Sequence, residues 1–240
     1  AYRWVTDRIR YDVEGLKKHN APQDGVTCLR RRMGTCAGYS DLYILLLQEM
    51  GLDCFQIVGD CKGYGFDAES ASNRDQRHGW AAVKLPRGWI LVDPTWGAGS
   101  LSTEMTFRKK FQDYWFDVAP SEMIYSHFPD DKRWQLLSSP WSQETFARAV
   151  RVTPEYFRYR IELLAVCDGA GRAPSQRAND YKIALDSNGE LRLKVTGPGN
   201  LRLSATVDGG GSNLIHRKGQ QFEVLVRGSS AKSTLRLFAT

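Results

Sequence analysis

The sequence predicts an α+β chain in two parts, a mixed helix and strand region over residues 1–152 and an antiparallel β-sandwich over residues 153–240. Three observations predict it. An apolar run over 36–50, led by Cys36, has helical spacing and a glycine stop at Gly51. Two strand patterns, 80–83 and 89–92, flank the turn Pro86-Arg87-Gly88. After Thr153 the texture changes to short alternating segments punctuated by Gly, Pro, Asn and Asp, which suits an immunoglobulin-like sandwich.

In chain order, Trp4, Val5, Ile9, Val13 and Leu16 recur near the helical period, so 4–19 reads as a helix. A break follows over 20–25, with Pro22 and Asp24. Thr35 is placed to cap the 36–50 helix, whose Tyr39, Leu42, Tyr43, Leu46 and Leu47 face inward. Residues 54–58 read as a strand. Residues 59–77 are polar and Gly-rich, a loop whose ends are pinned beside the chemistry described below and which would act as a lid. Tyr64 and Phe66 are its aromatic exceptions. A turn centred on Pro86 and Arg87 sets Trp80 opposite Asp93 and makes His78 the diagonal neighbour of Asp93 on the same face. A bulge at Gly88 would shift that pairing. Residues 97–150 are aromatic-rich, with a turn at Pro129-Asp130-Asp131. Strands are expected at 156–166, 181–185, 191–195, 201–207, 222–227 and 234–238, and the Gly-rich stretch 208–212 is a loop tip.

With 240 residues and 42% hydrophobic content, the chain can bury a substantial core. No run approaches the ~18 apolar residues of a membrane span, and no membrane partner is expected. The chain starts at Ala1 with no signal pattern, which reads as processing or trimming and leaves the compartment open, with a lean to the cytoplasm. Net charge is +6, and Arg30-Arg31-Arg32 is the one compact basic run. It reads as a solvated loop before a helix rather than a nucleic-acid patch. Five cysteines leave at least one thiol unpaired; Cys54 and Cys61 are the pair that could bridge. No Cys or His spacing fits zinc, and the four histidines are scattered, so neither a metal nor a cofactor is expected.

Three residues carry chemistry. Cys36 opens a helix, where unpaired amides favour a thiolate. His78 can take its proton and later protonate a leaving amine. Asp93 can hold the other imidazole N–H. The Cys36 backbone N–H is one oxyanion donor; Gln23 and Trp4 are upstream candidates for a second. Trp80 and Tyr64 complete the set of substrate-cleft candidates. Each is ordinary alone: a cysteine before a helix is usually a buried apolar residue, a strand histidine a satisfied surface group, Asp-Pro a turn. Their ordered combination is what points to acyl transfer.

The motifs Gly34-Thr-Cys36-Ala-Gly-Tyr39-Ser, His78-Gly-Trp80 and Val92-Asp93-Pro-Thr-Trp96 resemble, in order and spacing, the three core motifs of the transglutaminase-like superfamily. The stretch Met123-Ile-Tyr-Ser-His-Phe-Pro-Asp-Asp-Lys-Arg-Trp-Gln-Leu-Leu137 is similar to a narrower branch, that of kyphoscoliosis peptidase and hillarin. One position departs: Ala81 stands where the family often has Asn. The resemblance implies a papain-like core with a Cys-His-Asp triad at Cys36, His78 and Asp93, acting as a cysteine peptidase, transglutaminase or amidase on protein or peptide substrates. Calcium dependence belongs to a different branch, and no acidic cluster here suggests it. The rival reading is an inactive scaffold of the same fold, in which the sandwich and the aromatic middle bind a protein partner.

Overall fold

A computed structural model describes residues 1–63, 66, 77–102, 104–167, 170, 185–207, 212–228 and 235–239. The chain divides into two compact units, Ala1–Phe146 and Ala147–Thr240. Each has its own apolar core.

The first unit does not begin with one long helix. Helix α1 (Tyr2–Arg8) ends at Ile9, which is extended. Strand β1 (Arg10–Tyr11) follows, then α2 (Val13–Lys17), which Asp12 caps by accepting from the Gly15 N–H at 2.9 Å. The apolar period was real, since Val5 and Ile9 are fully buried. Asp12 offers a cap, and β1 finds a parallel partner in β2 (Met33–Gly34), so the backbone is satisfied without a continuous helix. Helix α3 (Gly25–Arg31) lies between them. The Arg30–Arg32 run therefore ends a helix rather than forming a loop. Arg31 pairs with Asp12 at 3.5 Å, and the Arg32 guanidinium lies 5.0 Å from the Trp4 ring centre.

Helix α4 (Cys36–Glu49) is buried on several sides, through Tyr39, Leu42, Tyr43, Ile44 and Leu47. Thr35 occupies its N-cap position but makes no side-chain cap bond. The start of α3 presses on α4 so closely that a Cβ on Gly25 would lie 2.5 Å from the Leu42 nitrogen. The Gly25 N–H donates to Asp41 at 2.6 Å. Helix α4 packs on a five-stranded antiparallel sheet built from β3 (Cys54–Cys61), β4 (Arg77–Leu85), β5 (Gly88–Val92), β8 (Phe116–Val118) and β9 (His127–Pro129), in the order β8-β5-β4-β3-β9. Between β5 and β8 come α5 (Pro94–Ala98), β6 (Gly99–Leu101) and β7 (Phe107–Lys109). Helix α6 (Pro120–Met123) precedes β9, and α7 (Gln143–Arg148) follows it.

Both ends of the expected 59–77 loop belong to strands, because β3 continues to Cys61 and β4 starts at Arg77; residues 64, 65 and 67–76, on which the lid expectation falls, lie outside the described residues. Gly59 explains the difference: it begins the Gly-rich stretch but sits inside the strand. It lies opposite Pro129, and a Cβ there would stand 2.1 Å from the Phe128 carbonyl oxygen. Glycine in a strand here marks a close backbone approach. Gly59→Ala must push β9 away from β3. It should lower stability by at least about 1–3 kcal/mol, as overpacking does. Urea denaturation checks this, and a change below ~0.5 kcal/mol would contradict the contact.

In the second unit, α8 (Pro154–Arg158) stands where the first strand was expected to begin, and β10 (Glu162–Cys167) starts later. Strands β11 (Glu190–Thr196), β12 (Leu203–Val207), β13 (Ser212–Lys218), β14 (Gln221–Arg227) and β15 (Leu235–Ala239) complete the described set. They form an antiparallel sheet β10-β11-β14-β13 and an antiparallel pair β12-β15. Val166, Leu193, Val195, Phe222, Val224 and Val226 point into one apolar core, with Leu203, Ala205 and Leu235 packed against it. This is the alternation of a β-sandwich, and the chain as a whole is α+β. Strand β13 had no counterpart in the sequence reading, because its Asn213, His216, Arg217 and Lys218 dilute the alternation. The segment expected at 181–185 lies, except for Leu185, outside the described residues.

Candidate active site

Cys36 is the first residue of α4 and is half-buried. The first turn of that helix is tied to the sheet. Ser40 Oγ donates to the Cys36 carbonyl at 2.8 Å and accepts from Gln56 Nε2 at 2.7 Å. Gly79 lets β4 approach, since a Cβ there would stand 3.1 Å from Ser40 Oγ and 3.7 Å from Ala37 Cα. Close approach brings the Gly79 N–H and the His78 side chain to the Cys36 sulfur, both as hydrogen-bond partners.

Strands β4 and β5 pair Ala81 with Val92 and Leu85 with Gly88, so the turn does centre on Pro86 and Arg87 and Gly88 introduces no shift. That register sets Asp93 opposite Trp80 and within reach of His78. Asp93 is fully buried and caps α5, its Oδ1 accepting from the Thr95 N–H at 2.8 Å and the Trp96 N–H at 3.0 Å. Its Oδ2 takes the Nε2 of His78 at 2.7 Å. An ionised carboxylate can only accept, so the proton is on Nε2 and Nδ1 is left for Cys36.

The charges are mutually supporting. Burial opposes ionisation of Asp93, but His78 and the hydrogen bonds from His127 and His78 outweigh it and hold the carboxyl below its ordinary range. Burial likewise opposes charge on His78, yet Asp93, Cys61 and Cys36 raise its pKa well above the ordinary value. For Cys36, burial works against the thiolate, and the charge and hydrogen bond of His78 with the Gly79 N–H prevail, lowering the pKa. Cys61 also feels His78, but there burial wins and its pKa is raised. Burial pushes the Cys28 thiol up to about 12. All five thiols are free, so Cys54 and Cys61 are not bridged; burial raises the pKa of Cys28, Cys54 and Cys61, while that of Cys36 is lowered.

The remaining cleft candidates fall apart spatially. Trp80 is buried, with 1% of its surface exposed, and its ring lies 6.2 Å from that of His78 and 5.0 Å from that of His127. It backs the imidazoles rather than forming an open wall. Trp4 is exposed under the Arg32 guanidinium. Gln23 is exposed on the segment before α3, where the neighbouring Pro22 carbonyl would meet a Cβ on Gly38 of α4 at 3.4 Å. Tyr64 lies outside the described residues.

In the sequence the four histidines are scattered and nothing local gives His127 a role. Strand β9 instead brings His127 to the site, and its Nε2 donates to the same Asp93 Oδ2 at 3.1 Å. The trace was there, because His127 stands inside the stretch that resembles the narrower branch. Trp96, the last residue of the Val92–Trp96 motif, joins them. Its ring packs on both imidazoles, 5.5 Å from His78 and 4.5 Å from His127.

The ligating atoms of His78, Asp93 and His127 lie within 4.8 Å of one another. A metal would need each donor about 2 Å from a shared centre, with lone pairs aimed at it. Here both Nε2 atoms direct protons at one carboxylate oxygen, so the group fits a hydrogen-bonded cluster and not a metal cage.

Residues 1–94 match the transglutaminase-like superfamily. The chain is 32% identical to mouse kyphoscoliosis peptidase over 156 residues, which is 64% of this chain and 24% of that protein. It is 31% identical to the Lim and transglutaminase domain protein ltd-1 of Caenorhabditis elegans over 176 residues, 68% of this chain and 24% of the relative. Drosophila melanogaster hillarin is 27% identical over 177 residues, 67% of this chain and 21% of hillarin. The matched region thus spans about a quarter of the length of these relatives.

Proposed function

Starting from a chain that belongs to the transglutaminase-like superfamily, on the branch of kyphoscoliosis peptidase and hillarin, we propose that it performs acyl transfer on protein or peptide amides with Cys36 as nucleophile, His78 as base and Asp93 as the orienter of that base. The observation that carries this is the Cys36 sulfur hydrogen-bonded to His78, an imidazole whose far nitrogen is anchored on the buried Asp93 carboxylate. The Cys36 thiolate attacks the carbonyl carbon, and the oxyanion forms at the Cys36 N–H. His78 gives its proton to the leaving amine as the C–N bond breaks, leaving a thioester on Cys36. Water or an amine, deprotonated by His78, then displaces the sulfur. Of the two upstream candidates for a second oxyanion donor, Gln23 is preferred to Trp4, since its neighbour Pro22 lies against Gly38 in the first turn of α4. The name peptidase carried by the mouse and human relatives favours water as the acceptor. Among the described residues no helix is long and apolar enough to cross a membrane, and a protein substrate suits the family.

Mass spectrometry of a protein mixture after incubation with wild type and Cys36→Ala tests this. New chain termini indicate hydrolysis, deamidated glutamines an amidase, and crosslinked peptides a transglutaminase. Identical mixtures from both proteins would contradict the proposal and favour a scaffold.

A further inference from the structure

The Asp93 carboxylate is held from two sides, and only one side belongs to the machinery described above. Oδ1 is fixed by the two backbone amides at the start of α5. A rotation about Cβ–Cγ that carried Oδ2 away from His78 would also stretch the Oδ1 bonds, and every further partner on Oδ2 adds to the resistance. The second hold on Oδ2 comes from His127. His127 is itself locked: it is 1% exposed, and Ser126 Oγ lies 2.8 Å from its Nδ1. Since Nε2 must donate to the carboxylate, Nδ1 of the neutral ring accepts, and the Ser126 hydroxyl is the donor. The rings of Trp96, Trp80 and Trp115 surround it at 4.5, 5.0 and 5.5 Å. A histidine that carried charge here would repel an imidazolium at His78. Burial first, and the charge of His78 with it, act against the Asp93 attraction and push His127 down to about 4, so it is neutral at physiological pH.

We propose that His127, clamped by Ser126, is a positioning residue that locks the Asp93 carboxylate toward His78. It acts through Asp93 and does not touch the reacting atoms. The inference uses the acyl-transfer reading only for the roles of His78 and Asp93. Among the described residues, the titratable groups facing His78 are Cys36 from α4, Cys61 from β3, Asp93 from the start of α5 and His127 from β9.

The test follows the His78 ring by NMR titration and Cys36 by its rate of iodoacetamide alkylation against pH, in the full chain. His127→Phe keeps a ring but removes the donor. It should lower the His78 midpoint by about one pH unit and raise the acidic limb of Cys36 alkylation by a similar amount, about tenfold slower labelling on that limb. The two proteins should converge at high pH, where the thiol ionises unaided. His127→Gln, which retains an N–H donor, should restore most of both shifts. Ser126→Ala, a milder change that keeps His127, should move both in the same direction by a smaller amount, and it decides the matter if His127→Phe does not fold. Unchanged midpoints would overturn the inference. So would a raised His78 midpoint, which would mean that His127 competes for Oδ2 rather than positioning it, or a folded His127→Gln that behaves like His127→Phe. The His78 titration needs no turnover. An inactive wild type with the expected shifts would refute acyl transfer and leave the role of His127 standing.

Discussion

Cys36→Ala should abolish acyl transfer, with turnover falling on the order of a millionfold, while the fold survives. The expected size is that of removing a nucleophile outright, where only binding and the oxyanion site remain to act on the substrate. Cys61 cannot substitute, although it lies on the strand next to His78, because burial keeps its thiol protonated. Alanine suits the first position of a helix, and Cys36 is only half-buried, so stability should change by less than about 1 kcal/mol. His78→Ala should cost about as much. The double variant should be no worse than either single one, because the two residues act as a unit. Turnover on any substrate identified by mass spectrometry, with urea denaturation in parallel, checks both halves. Residual turnover above about a hundredth of wild type would place the nucleophile elsewhere.

Asp93→Asn should lower turnover by about ten-thousandfold, by a different route. The asparagine oxygen can still accept from the Thr95 and Trp96 amides, so the α5 cap is kept. Its NH2 group then stands where two imidazole N–H groups point. Donor faces donor, and both rings must change tautomer. For His78 the proton moves from Nε2 to Nδ1, the nitrogen left for Cys36, which can then no longer accept the thiol proton. The expected size is that of placing a catalytic imidazole in the wrong tautomer. Asp93→Ala instead removes the cap and strands two buried imidazoles, so it should also unfold more readily. Near wild-type turnover in Asp93→Asn, or loss through unfolding alone, would contradict the assignment.

Local signals were what the sequence displayed. The α4 helix was legible because Thr35 and Gly51 bracket a dense apolar run, and the hairpin register was legible because Pro86-Arg87 leaves few ways to turn. Together these place His78 near Asp93 without any tertiary knowledge. The α1–β1–α2 break was hidden because burial of Val5 and Ile9 mimics a continuous helical face, while the deciding interactions were the Asp12 cap and pairing with residues 33–34. Gly59 was misread because glycine marks loops and close approaches alike. His127 was the larger omission. It reaches Asp93 by the pairing of β9 with β3, in which Cys61 lies opposite His127, a contact between distant segments that no local period encodes. Trp80 was read as cleft wall because a motif tryptophan beside a base suggests substrate, but its inward strand position buries it.

Alkylation of the wild-type protein by iodoacetamide across pH, with the labelled cysteines mapped, tests the central claim most directly. Ionisation of Cys36 is favoured by His78, whose own pKa is raised, so a thiolate–imidazolium pair should exist in the window between the two. Cys36 should label first among the five cysteines, with a rate that levels off below the ordinary thiol value of 9.0. Raising pH through the His78 pKa should remove the imidazolium and change the rate once more. A Cys36 rate that climbs only as pH approaches 9, or preferential labelling of Cys28, Cys54, Cys61 or Cys167, would contradict the account.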